Sequence, residues 1–178
     1  MAETTLTPRE WHGVDPGVAA DFSRRVVDAW NTRRPEPVLE LMTDDIDYQD
    51  ASWPRPMRGH VAVREFLQST WRALPDLSFE LTESVLLDPA APKLADYWRA
   101  TGTHSGLWEP PGLAPTARHL DFQGAFLAEL RDGKACRIRV EYDVAAIMRQ
   151  LGVLPPPDSW GERALVATAN LRSRLRRR

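Results

Sequence analysis

The amino-acid sequence predicts an α+β fold in which helices cover one side of a curved antiparallel sheet. Before residue 75, apolar residues recur at spacings of three and four, which is typical of amphipathic helices. From residue 77 to residue 143, four runs rich in apolar, aromatic and β-branched residues are separated by turn-forming residues, as in a sheet. The 178 residues fit one domain with an arm or a tail.

Three helices are expected before the sheet. The first starts at Asp15 and Pro16, because the carboxylate can cap free N–H groups and proline suits the first helical position, and it ends before Pro35. A short second helix covers about residues 36–42. The third covers residues 59–74, where the apolar side chains share one face and a proline follows.

A first strand is predicted at residues 46–51, ahead of the third helix. The pair Asp132 and Gly133 predicts a tight hairpin between the last two strand runs. A short helix at residues 144–151 follows the sheet. The four later strand runs cover residues 77–87, 94–104, 119–130 and 135–143.

The chain divides into three parts by composition. Residues 1–14 are interpreted as a loose arm, residues 15–154 as the domain, and residues 155–178 as a proline-rich linker with a basic helix or tail. The net charge of the chain is −2, and the last segment carries +4, so the rest carries −6. An acidic domain argues against nucleic acid as a partner, because binding phosphate groups requires a basic surplus.

Neither a membrane nor an oxidising compartment is indicated. No apolar run approaches the roughly 20 residues that cross a bilayer, and the first residues lack the apolar centre of a secretory signal. The single cysteine, Cys136, excludes an internal disulfide and a cysteine-rich metal site. We therefore expect a cytoplasmic protein with no membrane partner.

The common cofactor and hydrolase motifs are absent. The sequence contains no glycine-rich nucleotide loop, no His-Glu-x-x-His and no Gly-x-Ser-x-Gly. The histidines are not at the spacing of metal ligands, so we expect no cofactor and no metal. The four are His12, His60, His104 and His119.

A polar row lies on the last strand run. Arg139, Glu141 and Asp143 are two residues apart and therefore share one face, opposite an apolar row. The row either faces water, as alternating charges usually do, or lines a pocket. Asp143 could also cap the following helix, and capping would lower its pKa and weaken it as a base.

Other polar residues in the strand runs allow two interpretations each. His104 ends a strand run and is either a rim residue or an acid or base. Asp121, in an alternating row of polar residues, is interpreted as solvent-facing on spacing alone. Tyr48 and Asp50 share a face of the first strand and form either a hydrogen-bonded core pair or a substrate contact.

The order of elements resembles the cone-shaped fold of nuclear transport factor 2 and, within that superfamily, the SnoaL-like polyketide and ester cyclases. The resemblance covers about residues 18–154. It depends on the helix with Trp30, the segment 54–59, Thr101-Gly102-Thr103-His104 with Gly106, Pro115-Thr116 with Arg118, Asp132-Gly133-Lys134, and Tyr142-Asp143 followed by residues 147–152. Arg139, where many members have an aromatic residue, and Ala117, where glycine is usual, depart from the family pattern.

The resemblance implies a pocket inside the cone, a hydrophobic polyketide-like substrate and a homodimer. It implies that Asp143 is the base and that His104 at the pocket rim is its partner. The reaction would be intramolecular aldol closure through an enolate, without a cofactor. The candidate substrate-binding residues are Tyr48, Asp50, Trp53, Trp71, Trp98, Trp108, Asp121, Phe122, Arg139 and Glu141.

Two other functions stay open at this point. Arg139 and Glu141 with Asp143 or Asp121 resemble, in residue types alone, the carboxylate and arginine sets of limonene-type epoxide hydrolases. A non-catalytic binding or scaffold domain is the third hypothesis, because a fold does not fix a function.

Overall fold

The structure is a computed structural model, and it describes residues 12–175. Most of the predicted N-terminal arm therefore lies outside the described residues. The helices are α1 (Pro16–Asn31), α2 (Pro35–Glu40), α3 (Gly59–Ala73), α4 (Val144–Gln150) and α5 (Trp160–Leu175). The strands are β1 (Met42–Asp50), β2 (Met57–Arg58), β3 (Ser78–Leu81), β4 (Leu86–Leu87), β5 (Lys93–Thr103), β6 (His119–Arg131) and β7 (Lys134–Tyr142).

The predicted helices before the sheet are confirmed. The side chain of Asp15 accepts hydrogen bonds from the backbone N–H groups of Gly17 and Val18, so it caps α1 as expected. The second helix begins at Pro35, one residue earlier than predicted, and β1 begins at Met42. The third helix ends at Ala73, just before Pro75.

The seven strands form one curved sheet in the order β2-β1-β7-β6-β5-β3, and β4 also pairs with β5. Every pairing is antiparallel except that of β1 with β7, which is parallel. The predicted run 77–87 divides into β3 and β4, because Leu81 pairs with Trp98 while Leu86 pairs with Ala95. The pairing with β5 is therefore interrupted between Leu81 and Leu86, although the backbone N–H of Thr82 still donates to the carbonyl oxygen of Tyr97 at 3.0 Å.

The predicted hairpin at Asp132 and Gly133 is confirmed. Arg131 pairs with Lys134 across the turn, and the φ angles of the two central residues are 53° and 76°. Positive φ at both positions is the conformation that matches the right-handed twist of a two-residue hairpin. Gly133 adopts it without the steric cost that a side chain would add.

The hydrophobic core lies between α1, α3 and one face of the sheet. Trp30 of α1 contacts Phe66 and Trp71 of α3 and Phe79 of β3, with ring centroids 5.2–6.1 Å apart. Such edge and tilted contacts suit the charge distribution of aromatic rings. The helices thus hold one face of the sheet away from solvent.

The C-terminal segment forms a helix that packs little against the domain. Within the described residues of α5 no side chain is buried, and Trp160 is 83% exposed. Arg149 of α4 lies 3.7 Å from Glu162 and links the helix to the domain. In residues 12–175 no helix combines the length and the apolar character needed to cross a membrane.

Candidate active site

A cavity lies between the helices and the sheet, and its walls are mainly aromatic. The space open to the centre of a water-sized sphere measures about 80 Å³. Two carboxyl side chains, Asp50 and Asp96, line this mainly apolar cavity. Its aromatic walls include Trp30, Tyr48, Phe79, Trp98, Phe122 and Tyr142.

Asp50, at the end of β1, is the carboxylate that the structure places among hydrogen-bond donors. The Tyr142 hydroxyl donates to Oδ1 at 2.6 Å, and the backbone N–H and hydroxyl of Ser52 donate to the same oxygen at 2.8 and 2.7 Å. Burial raises the pKa of Asp50 above the usual carboxyl value, although these hydrogen bonds act in the opposite direction. Within residues 12–175, no donor hydrogen-bonds to Oδ2.

The hydroxyl of Tyr48 is a second polar group near Asp50. Tyr48 is buried on the same face of β1, and burial together with the nearby Asp50 raises the pKa of its phenol well above the usual value. The phenol is therefore neutral and keeps its proton to donate. Among the described residues, no group accepts or donates a hydrogen bond at this hydroxyl.

Asp96, in the middle of β5, is the other carboxyl group that lines the cavity. It is 1% exposed, and Ser23 of α1 lies 2.5 Å from its Oδ2. Its Oδ1 is buried and has no hydrogen-bond partner within the described part of the chain. Burial raises the pKa of Asp96 as well.

Gly124 of β6 allows two of the aromatic walls to meet. A Cβ atom at this position would lie 2.4 Å from Cζ2 of Trp98 and 2.6 Å from the carbonyl oxygen of Glu141. The indole of Trp98 therefore crosses β6 directly over Gly124 and contacts the ring of Tyr142, 5.9 Å away. A side chain at residue 124 would displace one of these two walls.

The polar row of β7 does not face the cavity, and the expectation that Asp143 faces it is wrong. Asp143 is exposed and caps α4, accepting a hydrogen bond from the backbone N–H of Ala146 at 2.9 Å. Arg139 and Glu141 are exposed and pair with each other at 2.5 Å. The opposite row, which includes Val140 and Tyr142, lines the cavity instead, because alternate residues of a strand face opposite sides.

Asp121 also lies outside the cavity. It is exposed on β6 and forms a two-oxygen ion pair with Arg99 of β5, whose N–O distances are 2.7 and 2.5 Å. This agrees with the solvent-facing interpretation of its row. The predicted epoxide-hydrolase set therefore lies on the outer face of the sheet.

His104 is buried behind the cavity wall. Its Nδ1 accepts a hydrogen bond from the backbone N–H of Thr116 at 3.3 Å, which places the proton on Nε2. Burial lowers the pKa of His104, so its ring is neutral. Its ring contacts Trp108, a residue of the cavity wall, at 5.8 Å.

Four of the six predicted aromatic residues line the cavity: Tyr48, Trp98, Trp108 and Phe122. The other two, Trp53 and Trp71, pack in the core behind it. Trp53 contacts Phe66 at 5.4 Å, and Trp71 contacts Trp30 at 5.5 Å.

Sequence reasoning missed Ser23, Asp96 and Tyr142 as site residues. Asp96 had a signal, because it stands two residues from both Leu94 and Trp98 on the apolar row of β5, which puts an acid on the buried face of the strand. Tyr142 lies on the row of β7 that was predicted to be apolar, so its hydroxyl was not predicted as a site group. Among residues 12–175, no three His, Cys, Asp or Glu side chains come together as a metal site.

Comparison with known families identifies the domain. The profile of the SnoaL-like polyketide cyclases matches residues 20–151. The chain belongs to the SnoaL-like polyketide cyclase family. The predicted resemblance is thereby confirmed, over nearly the stretch that it was expected to cover. No curated protein sequence significantly matches this family member.

Solved structures share the fold of this SnoaL-like chain. A protein of Jannaschia sp. CCS1, described provisionally as a SnoaL-like polyketide cyclase, is 19% identical with a TM-score of 0.68, over 80% of this chain and 95% of that chain. AclR of Streptomyces galilaeus, described provisionally as a hydroxylase, has the same identity and TM-score, over 92% of this chain and 97% of that chain. IdmH of Streptomyces antibioticus, described provisionally as a polyketide cyclase, is 22% identical with a TM-score of 0.62, over 75% of this chain and 98% of that chain.

Proposed function

We propose that the protein is a cofactor-independent cyclase, in which Asp50 removes a proton from a carbon flanked by carbonyl groups of an apolar, polyketide-like molecule. The observation that carries the proposal is the position of Asp50. It is a carboxylate with a raised pKa in an aromatic cavity, and its Oδ2 accepts no hydrogen bond from residues 12–175. A raised pKa makes a carboxylate a stronger base near neutral pH.

The reaction needs two proton transfers and one carbon–carbon bond, and Asp50 serves both proton transfers. The C–H proton moves to Oδ2 of Asp50 and leaves an enolate. The enolate carbon then bonds to the carbon of a second carbonyl, whose oxygen takes a proton back from Asp50 and becomes a hydroxyl. The neutral hydroxyl of Tyr48, which lies near Asp50, can donate to the enolate oxygen while the negative charge is present.

Asp143 is a weaker choice for the base, although the family resemblance favoured it. Its carboxylate caps α4 and is exposed to water. The side chain is not among those that line the cavity, so it does not face a substrate bound there. The proposed cyclase therefore uses Asp50, and not Asp143, as its base.

The matched variants Asp50→Asn and Asp143→Asn test this assignment. Both change one carboxylate to an amide of the same size. The substrates are aromatic β-keto esters with a second carbonyl placed for ring closure, and the readout is product formation above the buffer rate. We expect Asp50→Asn to lose about 10²–10⁴-fold in kcat and Asp143→Asn to keep it. A folded Asp50→Asn variant with full turnover would remove Asp50 from the mechanism.

We also propose a homodimer that forms through the outer face of the sheet. Tyr97 and Leu127 lie on this face and are each 43% exposed. Apolar side chains exposed on one sheet face favour contact with a second copy. Light scattering after size-exclusion chromatography measures the mass, and Leu127→Lys should convert the dimer to a monomer.

A further inference from the structure

We propose that Asp96 and Ser23 form a second polar subsite in the cavity, which binds a hydroxyl group of the substrate away from the reacting carbon. The proposal deepens the proposed function and depends on it in one respect, namely that the substrate occupies this cavity. It adds a chemical feature of the substrate, a hydrogen-bond donor at the end of the molecule opposite to Asp50.

Asp96 carries an unmet hydrogen-bonding requirement. Its side chain lines the cavity and is 1% exposed, while its Oδ1 has no partner within residues 12–175. An unpaired buried polar atom costs on the order of 1–3 kcal/mol, so such atoms in native structures usually have a partner or a function. A ligand that donates to Oδ1 would remove this cost.

The partners of Ser23 indicate which kind of ligand group fits. The Ser23 hydroxyl lies 3.0 Å from the carbonyl oxygen of Ala19 and 2.5 Å from Oδ2 of Asp96. A hydroxyl has one hydrogen, and the Ala19 oxygen can only accept. Both contacts are hydrogen bonds if Ser23 donates to Ala19 and a protonated Oδ2 donates to Ser23. Burial raises the pKa of Asp96, which favours this protonated form.

Oδ1 is then the carbonyl oxygen of a carboxylic acid and can only accept a hydrogen bond. If Asp96 is instead ionised and accepts from Ser23, Oδ1 is again an acceptor. Both arrangements call for a hydrogen-bond donor on the ligand rather than a carbonyl, and in an oxygen-rich, polyketide-like molecule that donor is a hydroxyl. The subsite thus selects a phenol, an enol or an alcohol.

The sheet places this subsite far from Asp50 but on the same cavity wall. Asp96 pairs with Phe126, Phe126 pairs with Val140, and Val140 pairs with Asp50. These four residues form one row across β5, β6, β7 and β1, and all of them line the cavity. The row spans three strand spacings of about 4.8 Å, which is about 14 Å along the sheet.

A row with carboxyl groups at its ends and apolar side chains between them fits a particular kind of molecule. The substrate would be elongated, with an apolar aromatic centre against Val140 and Phe126. The acidic C–H group would lie at Asp50, and a hydroxyl would lie at Asp96. A fused aromatic polyketide intermediate that keeps a phenol at one end has this shape.

The test uses ligands and variants that differ by one group. The ligands are 2-hydroxyanthraquinone, 2-methoxyanthraquinone and anthraquinone, and titration calorimetry gives their dissociation constants. The variants are Asp96→Leu, which has no acceptor, and Asp96→Asn, which keeps one. In Asp96→Asn the amide N–H can donate to Ser23 while the amide oxygen takes the place of Oδ1.

We expect the wild-type protein to bind the hydroxyl compound about tenfold more tightly than the other two, as one hydrogen bond predicts. Asp96→Asn should keep this preference, and Asp96→Leu should bind all three ligands alike. Should Asp96→Leu fail to fold, Ser23→Ala removes the group that orients Asp96 and should also reduce the preference. A purely structural role of Asp96 would change the melting temperature without changing the ratio of affinities.

The failure of this inference is distinguishable from that of the proposed function. Equal binding of the three compounds by the wild-type protein, or an unchanged preference in Asp96→Leu, would overturn the subsite. In either case, a loss of turnover in Asp50→Asn would still support the proposed function. Binding of none of the compounds by the wild-type protein would overturn the elongated aromatic substrate class and the subsite together.

Discussion

The hydroxyl of Tyr142 lies 2.6 Å from Oδ1 of Asp50, although 92 residues separate them in the chain. The parallel pairing of β1 with β7 creates this proximity, because it places Asp50 beside Val140 near the end of β7. The proposed base is therefore held by the last strand of the sheet. This relationship determines how changes at Tyr142 should alter the chemistry of Asp50.

Tyr142→Phe should shift the acid limb of the pH–rate profile to higher pH. The tyrosine hydroxyl stabilises the ionised carboxylate and lowers the pKa of Asp50 against the effect of burial. Without it, the pKa of Asp50 rises further, and less of the base is ionised at a given pH. The measurement is kcat/KM as a function of pH. Tyr97→Phe, on the outer face of the sheet, is the control and should leave the limb unchanged. A limb that moves to lower pH would contradict the assignment.

Tyr48→Phe should lower kcat with a smaller change in KM. The Tyr48 hydroxyl is proposed to donate to the enolate oxygen, so its contribution appears mainly when negative charge develops. Loss of one such donor costs roughly 10²–10³-fold in kcat. Steady-state kinetics measures both constants. An unchanged kcat with a raised KM would indicate that Tyr48 serves in ground-state binding only.

The contribution of Asp50 and Asp96 to the stability of the fold should fall as the pH rises above the usual carboxyl range. Burial raises the folded-state pKa values of Asp50 and Asp96, so the native state holds these protons more firmly than the unfolded state. Their contribution to stability is complete below the unfolded pKa of about 3.9 and is lost as the pH rises through the folded values. Urea unfolding between pH 4 and pH 8 measures this decline.

Asp96→Asn provides the control for that decline. Asparagine does not titrate, so the variant should lose stability less steeply between pH 4 and pH 8 than the wild-type protein. The exposed carboxylates are the same in both proteins, so their contribution to the pH dependence cancels in the comparison. An identical slope in both proteins would show that Asp96 does not titrate in this range.

Asp143→Ala should destabilise the protein and leave its turnover intact. The carboxylate caps α4 through the N–H of Ala146, and loss of such a cap costs about 1 kcal/mol. Asp143→Ser can still cap and should recover most of the loss. Urea unfolding and turnover are measured on the same preparations. A stable Asp143→Ala protein with no activity would return Asp143 to the role of the base.

Gly124→Ala should destabilise the fold and weaken ligand binding at the same time. The added methyl group would lie 2.4 Å from the Trp98 ring, so either this ring or β7 must move. Overpacking of this kind costs about 1–3 kcal/mol. Thermal unfolding gives the loss of stability, and titration calorimetry with 2-hydroxyanthraquinone gives the loss of binding. Ala125→Ser, on the opposite face of β6, should change neither quantity.

Much of the fold was predictable because it depends on local patterns. The capped start of α1, the helix that ends before Pro75 and the hairpin at Asp132 each have a signal within a few residues. The parallel partner of β1 has no such signal, since strand neighbours depend on contacts across the chain. The sequence therefore identified Asp50 and Tyr48 as a pair on one strand without showing that Tyr142 joins them.

The candidate site was predicted less well, and for a physical reason. The alternation in β7 allowed two assignments of its faces, and the family resemblance favoured the one that turned Asp143 inward. The aromatic ring of Tyr142 made its face the more apolar of the two, and burial followed the apolar row. A polar atom on an apolar row, such as the Tyr142 hydroxyl or Asp96, is the better indicator of which polar groups line the cavity.

The parallel pairing of β1 with β7 also has a consequence for synthesis of the protein. A ribosome releases Asp50 long before the strand that holds it, so a nascent chain carries the acid without its surroundings. Contacts between distant parts of a chain form late and slow the folding of a domain. The proposed catalytic activity should therefore arise only when translation of the whole sheet is complete, and truncated products should lack it.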